Sequence, residues 1–199
     1  MRGIFLAVGL AASVGCASST MQVGPASPHA QTEARDLARQ AYDLAVAGGD
    51  DRGALFDAIR LTKRAYAIDR DPLYLCNIGG YYRVMREWPR AASFLGRCLQ
   101  LLPATRPDEV DRFRAVLTEV EHEVGDDHVA VLVDVQPAAL IRVSTFAADE
   151  LVPSPAIVWL PVGTHTITAT IPGSTARTKT ISVTPTMLEH DQRQAVVLR

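Results

Sequence analysis

The chain has 199 residues, 48% of them hydrophobic and 21% charged, with a formal net charge of -2 at pH 7. This length suits one or two small domains of ordinary globular composition. The near-even charge balance lacks the basic excess that nucleic-acid binding needs, and no single-sign run is long enough to form a charged tail.

Met1-Arg2 gives a short positive start, and Ile4 to Val14 is an apolar stretch without a charge. That stretch has the size of a signal-peptide core and falls well short of the ~20 residues a membrane-spanning helix needs. Ser13-Val14-Gly15-Cys16 resembles the lipobox of bacterial lipoproteins. Val14, Gly15 and Cys16 follow its pattern, while Ser13 stands where the family has Leu or another aliphatic residue. The resemblance implies a signal peptide over 1–15 and acylation of Cys16, where each buried methylene contributes about 0.8 kcal/mol to anchoring. Ordinary cleavage after Ala17 is the other reading of the same small residues. Ala17 after the cysteine implies, by likeness to enterobacterial sorting, the periplasmic face of the outer membrane. Residues 16–31, rich in Ser, Pro, Gly and Ala, are expected to form a flexible tether.

From Thr32 apolar residues recur at three and four. Ala34, Leu37, Ala38, Ala41, Tyr42 and Ala45 predict one buried helix face, ended by Gly48-Gly49. A second helix carries Leu55, Ala58, Ile59, Ala65 and Tyr66 to about Arg70. A third is expected from Leu73 to Met85, a fourth from Trp88-Pro89 to Pro103, and a fifth from Pro107 to Val124, closed by Gly125. Short breaks predict a stack of antiparallel helical hairpins over 32–125.

The stretch from Pro72 to Pro103 resembles a tetratricopeptide repeat. Leu75, Ile78-Gly79, Tyr82, Trp88, Ala91, Leu95, Cys98 and Pro103 stand at its signature positions. Gly79 and Ala91 are small so that two helices can cross closely. The preceding hairpin is a degenerate second repeat and the fifth helix a cap. Such arrays need about three units for stability, so support is expected from the cap, the C-terminal half or a partner. The resemblance implies a concave groove for protein partners, with Asn77, Arg83 and Val84 facing it. Cys76 and Cys98 would lie on facing helices, either as a disulfide or as two small buried thiols.

After Asp126-Asp127 the period becomes two. Strands are predicted over 129–135, 140–146, 157–160, 164–171, 178–183 and 195–198, forming a small antiparallel β-sandwich over 128–199. The fold class is therefore α+β with two domains. Pro155, Leu160-Pro161-Val162-Gly163, His165 and Pro172-Gly173 resemble the PEGA family of small β-domains on exported bacterial proteins. Val143-Ser144-Thr145 stands where that family commonly has an Asp-Gly turn, and 147–154 is longer than usual. The resemblance implies an interaction role and no chemistry. His165 is expected to pack beside its turn against a backbone carbonyl rather than act as a ligand or pH switch.

No nucleophile elbow, zinc-protease helix, P-loop or dinucleotide-binding glycine pattern occurs. Glu119, Glu121, His122, Glu123, Asp126, Asp127 and His128 are the one cluster with metal-ligand residue types, and a solvated helix end is the other reading of it. The expectation is a non-catalytic envelope lipoprotein without cofactor, metal or small-molecule substrate. It would be held to the membrane by its lipid and act as a scaffold for envelope proteins. The alternatives are a structural protein on cell-wall or surface polysaccharide, for which the β-half offers just the aromatics Phe146 and Trp159, and an enzyme built on the acidic cluster.

Overall fold

A computed structural model of the chain describes residues 26–148, 150–171, 173–189 and 194–198. The signal segment, Cys16 and most of the expected tether lie outside those residues. The first half is α-helical: α1 Pro28–Gly48, α2 Arg52–Ile68, α3 Leu73–Val84, α4 Trp88–Leu101 and α5 Pro107–Val124. The second is mostly strand: β1 His128–Val135, β2 Leu140–Val143, β3 Val152–Pro153, β4 Ala156–Pro161, β5 Gly163–Thr170, β6 Arg177–Val183 and β7 Gln194–Leu198, with a short helix, α6 Pro185–Glu189, before β7. No described helix is long and apolar enough to cross a membrane.

Local chemistry explains the helix ends. Ser27 caps α1 through Ala30 N, with Pro28 in the first turn, so the helix begins four residues before the expected Thr32. Gly49, at φ 61°, ends it, and Asp51 caps α2 by accepting from Ala54 N at 2.9 Å. A Cβ at Gly48 would come within 2.4 Å of the Ala54 Cβ, so this glycine lets the two helices turn tightly. Asp108 and Glu109 occupy the first turn of α5, where the helix dipole favours acids.

One expectation about α1 fails. Tyr42 was placed on the buried stripe with Ala38, Ala41 and Ala45, yet it is 62% exposed, and Val46 one turn later is 63% exposed. Ala34, Leu37 and Ala41 make the contact instead. The contact face lies mainly against α2, and Ala34 and Leu37 also share a buried cluster with Tyr74 of α3.

The strands form two sheets, in the orders β4-β1-β7 and β3-β2-β5-β6. Alternate burial follows the expected period: His165, Ile167 and Ala169 point inward along β5, and Thr164 and Thr170 are exposed. Three features differ from expectation. The second strand stops at Val143, because Ser144 and Thr145 turn. The two-residue strand β3 forms inside the long 147–154 segment. The third concerns β7, which runs parallel to β1, pairing Val131 with Gln194 through Val135 with Leu198, so pairing is not antiparallel throughout. A parallel return needs a long connection, and residues 136–193, which include β2 to β6 and α6, separate β1 from β7.

The two halves share one core. A continuous cluster of buried apolar residues runs from Ala41 through α2 to α5 and into both sheets. The contact between the halves is made at α4, which packs against β4 and β3. Within the α3–α4 hairpin, a Cβ at Gly79 would lie 2.6 Å from Leu95 Cγ and 3.2 Å from the Ala91 carbonyl oxygen. Leu95 is fully buried and cannot give way. Neighbouring Gly80 meets nothing within 4 Å. Gly79→Ala should therefore destabilise the protein by about 1 kcal/mol or more, overpacking outweighing the helix-propensity gain. Gly80→Ala should stabilise it by up to about 1 kcal/mol. Urea unfolding midpoints of the two variants, shifted in opposite directions, would check this.

Candidate interaction site

The residues expected in the groove separate. Val84 is exposed, at 47%. Arg83 reaches across to the capping helix, its Nη2 2.8 and 2.9 Å from the two carboxylate oxygens of Glu119. Asn77 is half-buried. Because α1 and α3 both run antiparallel to α2, they lie parallel to each other. Burial raises the Tyr81 pKa, a hydrogen bond with Thr62 opposes the rise, and Tyr42 of α1 adds a smaller part to it. Tyr42 and Val46 were missed as surface groups because periodicity reports apolar spacing, not which neighbour is present to cover it.

Cys76 and Cys98 sit on the facing sides of α3 and α4, with Cα atoms 5.3 Å apart and their sulfurs joined. His165 is buried, with Nε2 2.7 Å from the Pro161 carbonyl oxygen. Among the described residues no three His, Cys, Asp or Glu side chains group as metal ligands. Glu119 of the acidic cluster is engaged by Arg83, and the Asp126 side chain lies outside the described atoms.

The most heavily charged buried region is the seam between α4 and the strands. Arg90 and Arg97 are seven residues apart and share one face of α4. Arg90 Nε lies 3.2 Å from Glu150, whose side chain is 1% exposed. Its Nη2 donates to the Thr145 carbonyl oxygen at 3.3 Å, and the guanidinium lies over the Tyr82 and Phe146 rings. Arg97 donates to the Ser154 carbonyl oxygen at 2.9 Å and to Gln100 at 3.1 Å. Burial lowers its pKa, although a guanidinium stays charged in proteins. Ser154 in turn accepts the Val135 N–H on its hydroxyl and donates its own N–H to Ala139. These groups hold the two halves in one geometry. None of this was legible in the sequence, where nothing in the spacing singles out Arg90 or Arg97.

Removing Glu150 would leave Arg90 desolvated with weaker partners. Glu150→Gln should cost about 2 kcal/mol, below the range for a fully buried pair because Arg90 keeps some solvent and Glu87. Denaturant melts of the variant would measure it.

His128, at the start of β1, lines a small cleft of about 160 Å³ with Arg90, Phe146 and Trp159. Its Nδ1 is buried without a hydrogen-bond partner. Burial lowers its pKa, further helped by His165 and opposed by the Val124 carbonyl and by Asp127. The folded pKa therefore lies below the unfolded value of about 6.5. On acidification the unfolded chain takes up this proton first. Stability from this group is full above about pH 6.5 and is lost as pH falls toward the folded pKa. Between pH 7 and pH 5 the wild type should lose more stability than His128→Gln, as read from urea midpoints at both pH values.

Compared with family models, curated proteins and solved structures, the chain matches none of them.

Proposed function

We propose that this protein is a non-catalytic envelope lipoprotein, anchored through Cys16, whose helical half binds a protein partner and whose β-half, of PEGA-like sandwich type, braces it. The observation that carries the binding role is the exposure of large apolar side chains on two helices of the first half, Tyr42 and Val46 on α1 and Val84 at the end of α3. Large apolar groups left in solvent, where they gather, mark contact surfaces. The Arg83–Glu119 pair on the neighbouring α5 supplies a polar rim. This arrangement fits the groove that a tetratricopeptide-like stack offers to an extended segment or an amphipathic helix.

Export is supported by the cysteine pair across α3 and α4, because such bridges persist in oxidising compartments. The polysaccharide reading loses support, since Phe146 is buried and Trp159 is half-buried in the seam.

The test is a crosslinked pull-down of the full chain from native membranes, run beside Val84→Asp and Tyr42→Ser. Both positions are exposed, so the fold should persist, which circular dichroism would verify. A partner held by this face should bind on the order of 30-fold more weakly to either variant, as for loss of one anchor side chain. In the same cells Cys16→Ala should move the protein to the soluble fraction. Equal recovery by all variants would remove the groove role, and unchanged membrane association of Cys16→Ala would remove the anchor.

A further inference from the structure

Two sheets have four edge strands, and each edge presents unpaired backbone groups to any strand that approaches. In this chain the edges are β3, β4, β6 and β7. Three of them are guarded. Helix α4 packs against β3 and β4, and β3 is two residues long and contains Pro153. On β6, Lys179 lies opposite Ile167, which is fully buried, so it belongs to the inward-facing row of its strand, yet it is exposed. A strand added beyond β6 would have to cover that charge, which blocks pairing. None of these devices occurs on β7. Its residues Gln194–Leu198 include no charge, proline or glycine, and among the described residues its one strand neighbour is β1.

The hydrogen bonding of β7 fixes which of its groups are free. Gln136 N donates to the Leu198 carbonyl oxygen at 3.0 Å, so the peptide groups of Leu198 face β1. Along a strand these groups alternate from side to side. Val196 therefore also faces β1, while the N–H and carbonyl of Ala195 and of Val197 point to the open edge. The side chains of the same two residues are exposed, that of Val197 at 42%. This pattern is symmetric about Val196. In an antiparallel pair of two β7 strands centred on that residue, Ala195 of each copy meets Val197 of the other, and each such meeting exchanges two backbone hydrogen bonds. Val197 then packs on Ala195 across the join, and neither strand sets a charge against a like charge.

We propose that β7 pairs antiparallel with β7 of a second copy of this chain about a two-fold axis at Val196, joining two three-stranded sheets into one of six strands. The joined sheet ends on β4 at both sides, where α4 blocks further growth, so the assembly closes as a dimer. The surface lies on the β-half, away from the exposed side chains of α1 and α3, and does not depend on the partner reading. One pair of five-residue strands buries well under the ~1,200 Å² of a stable complex, so the association is weak and reversible.

Sedimentation equilibrium of the purified full chain carrying Cys16→Ala, which removes any association through lipid, tests this. A monomer–dimer equilibrium should appear with Kd on the order of 10⁻⁵ M, in the weak range of small interfaces. Val197→Pro, added to that chain, removes an N–H that faces the open edge and none that bonds β1, and should weaken association by about tenfold or more. Val197→Lys introduces the kind of guard that β6 carries and should have a similar effect. Leu132 lies on the same outer face, opposite Ala195 but one strand further in, and is 39% exposed. Leu132→Lys should leave Kd unchanged, which separates edge pairing from stacking of sheet faces. Thermal melts would verify folding, and Val197→Lys, which keeps every backbone group, serves where Val197→Pro is not folded. A parent chain that stays monomeric at about 10⁻⁴ M would overturn the proposal, as would a dimer unaffected by folded Val197→Lys or one weakened equally by Leu132→Lys.

Discussion

The structure depends on the docking of the strands against α4. Burying Arg97 and Glu150 and half-burying Arg90 at this seam costs desolvation, which their partners offset in part, since Arg97 Nε and Glu150 Oε1 are buried without a hydrogen bond. Arg90 finds a carboxylate, a carbonyl and two aromatic faces, and Arg97 finds a carbonyl and an amide. The net contribution of such groups to stability is small, but any other docking angle would strand a charge away from water. The seam is thus a device for orientation more than for affinity. Affinity comes from the apolar cluster that continues through it.

The same docking determines how deeply α4 is buried. Here α5 covers one side of α4 and the strands cover another. The result is a helix buried around its circumference, with Ala91 through Leu95 buried in succession. A helix with that burial is a core element, not a surface one. Among the described residues α1 has no such cover, and Tyr42 and Val46 stand in solvent.

Much of the secondary structure was readable before any coordinates. The helix breaks at Gly48-Gly49, Asp71-Pro72, Pro103 and Gly125 are encoded in residues that cannot continue a helix. The alternation along Val129 to Val135 and Thr164 to Ile171 encodes strands by the same logic. The small residues Gly79 and Ala91 pointed to a close helix crossing, and the 2.6 Å approach of a Cβ at Gly79 to Leu95 gives the reason. The parallel pairing of β7 with β1 was not readable, because strand polarity follows from the path of the chain and leaves no mark on the alternation of side chains.

The sequence by itself determined that a helical half precedes a run of strands, which residues are apolar enough to be buried, and that glycine and proline stop the elements. These are properties of a few consecutive residues and their backbone limits. The tertiary structure alone decided that Arg90 meets Glu150, that Arg97 meets Ser154 and that Tyr42 stays in water. Each of those outcomes joins groups far apart along the chain, or depends on a neighbour being absent. Burial and pairing are relations between elements, and a local pattern of residue types carries no record of them.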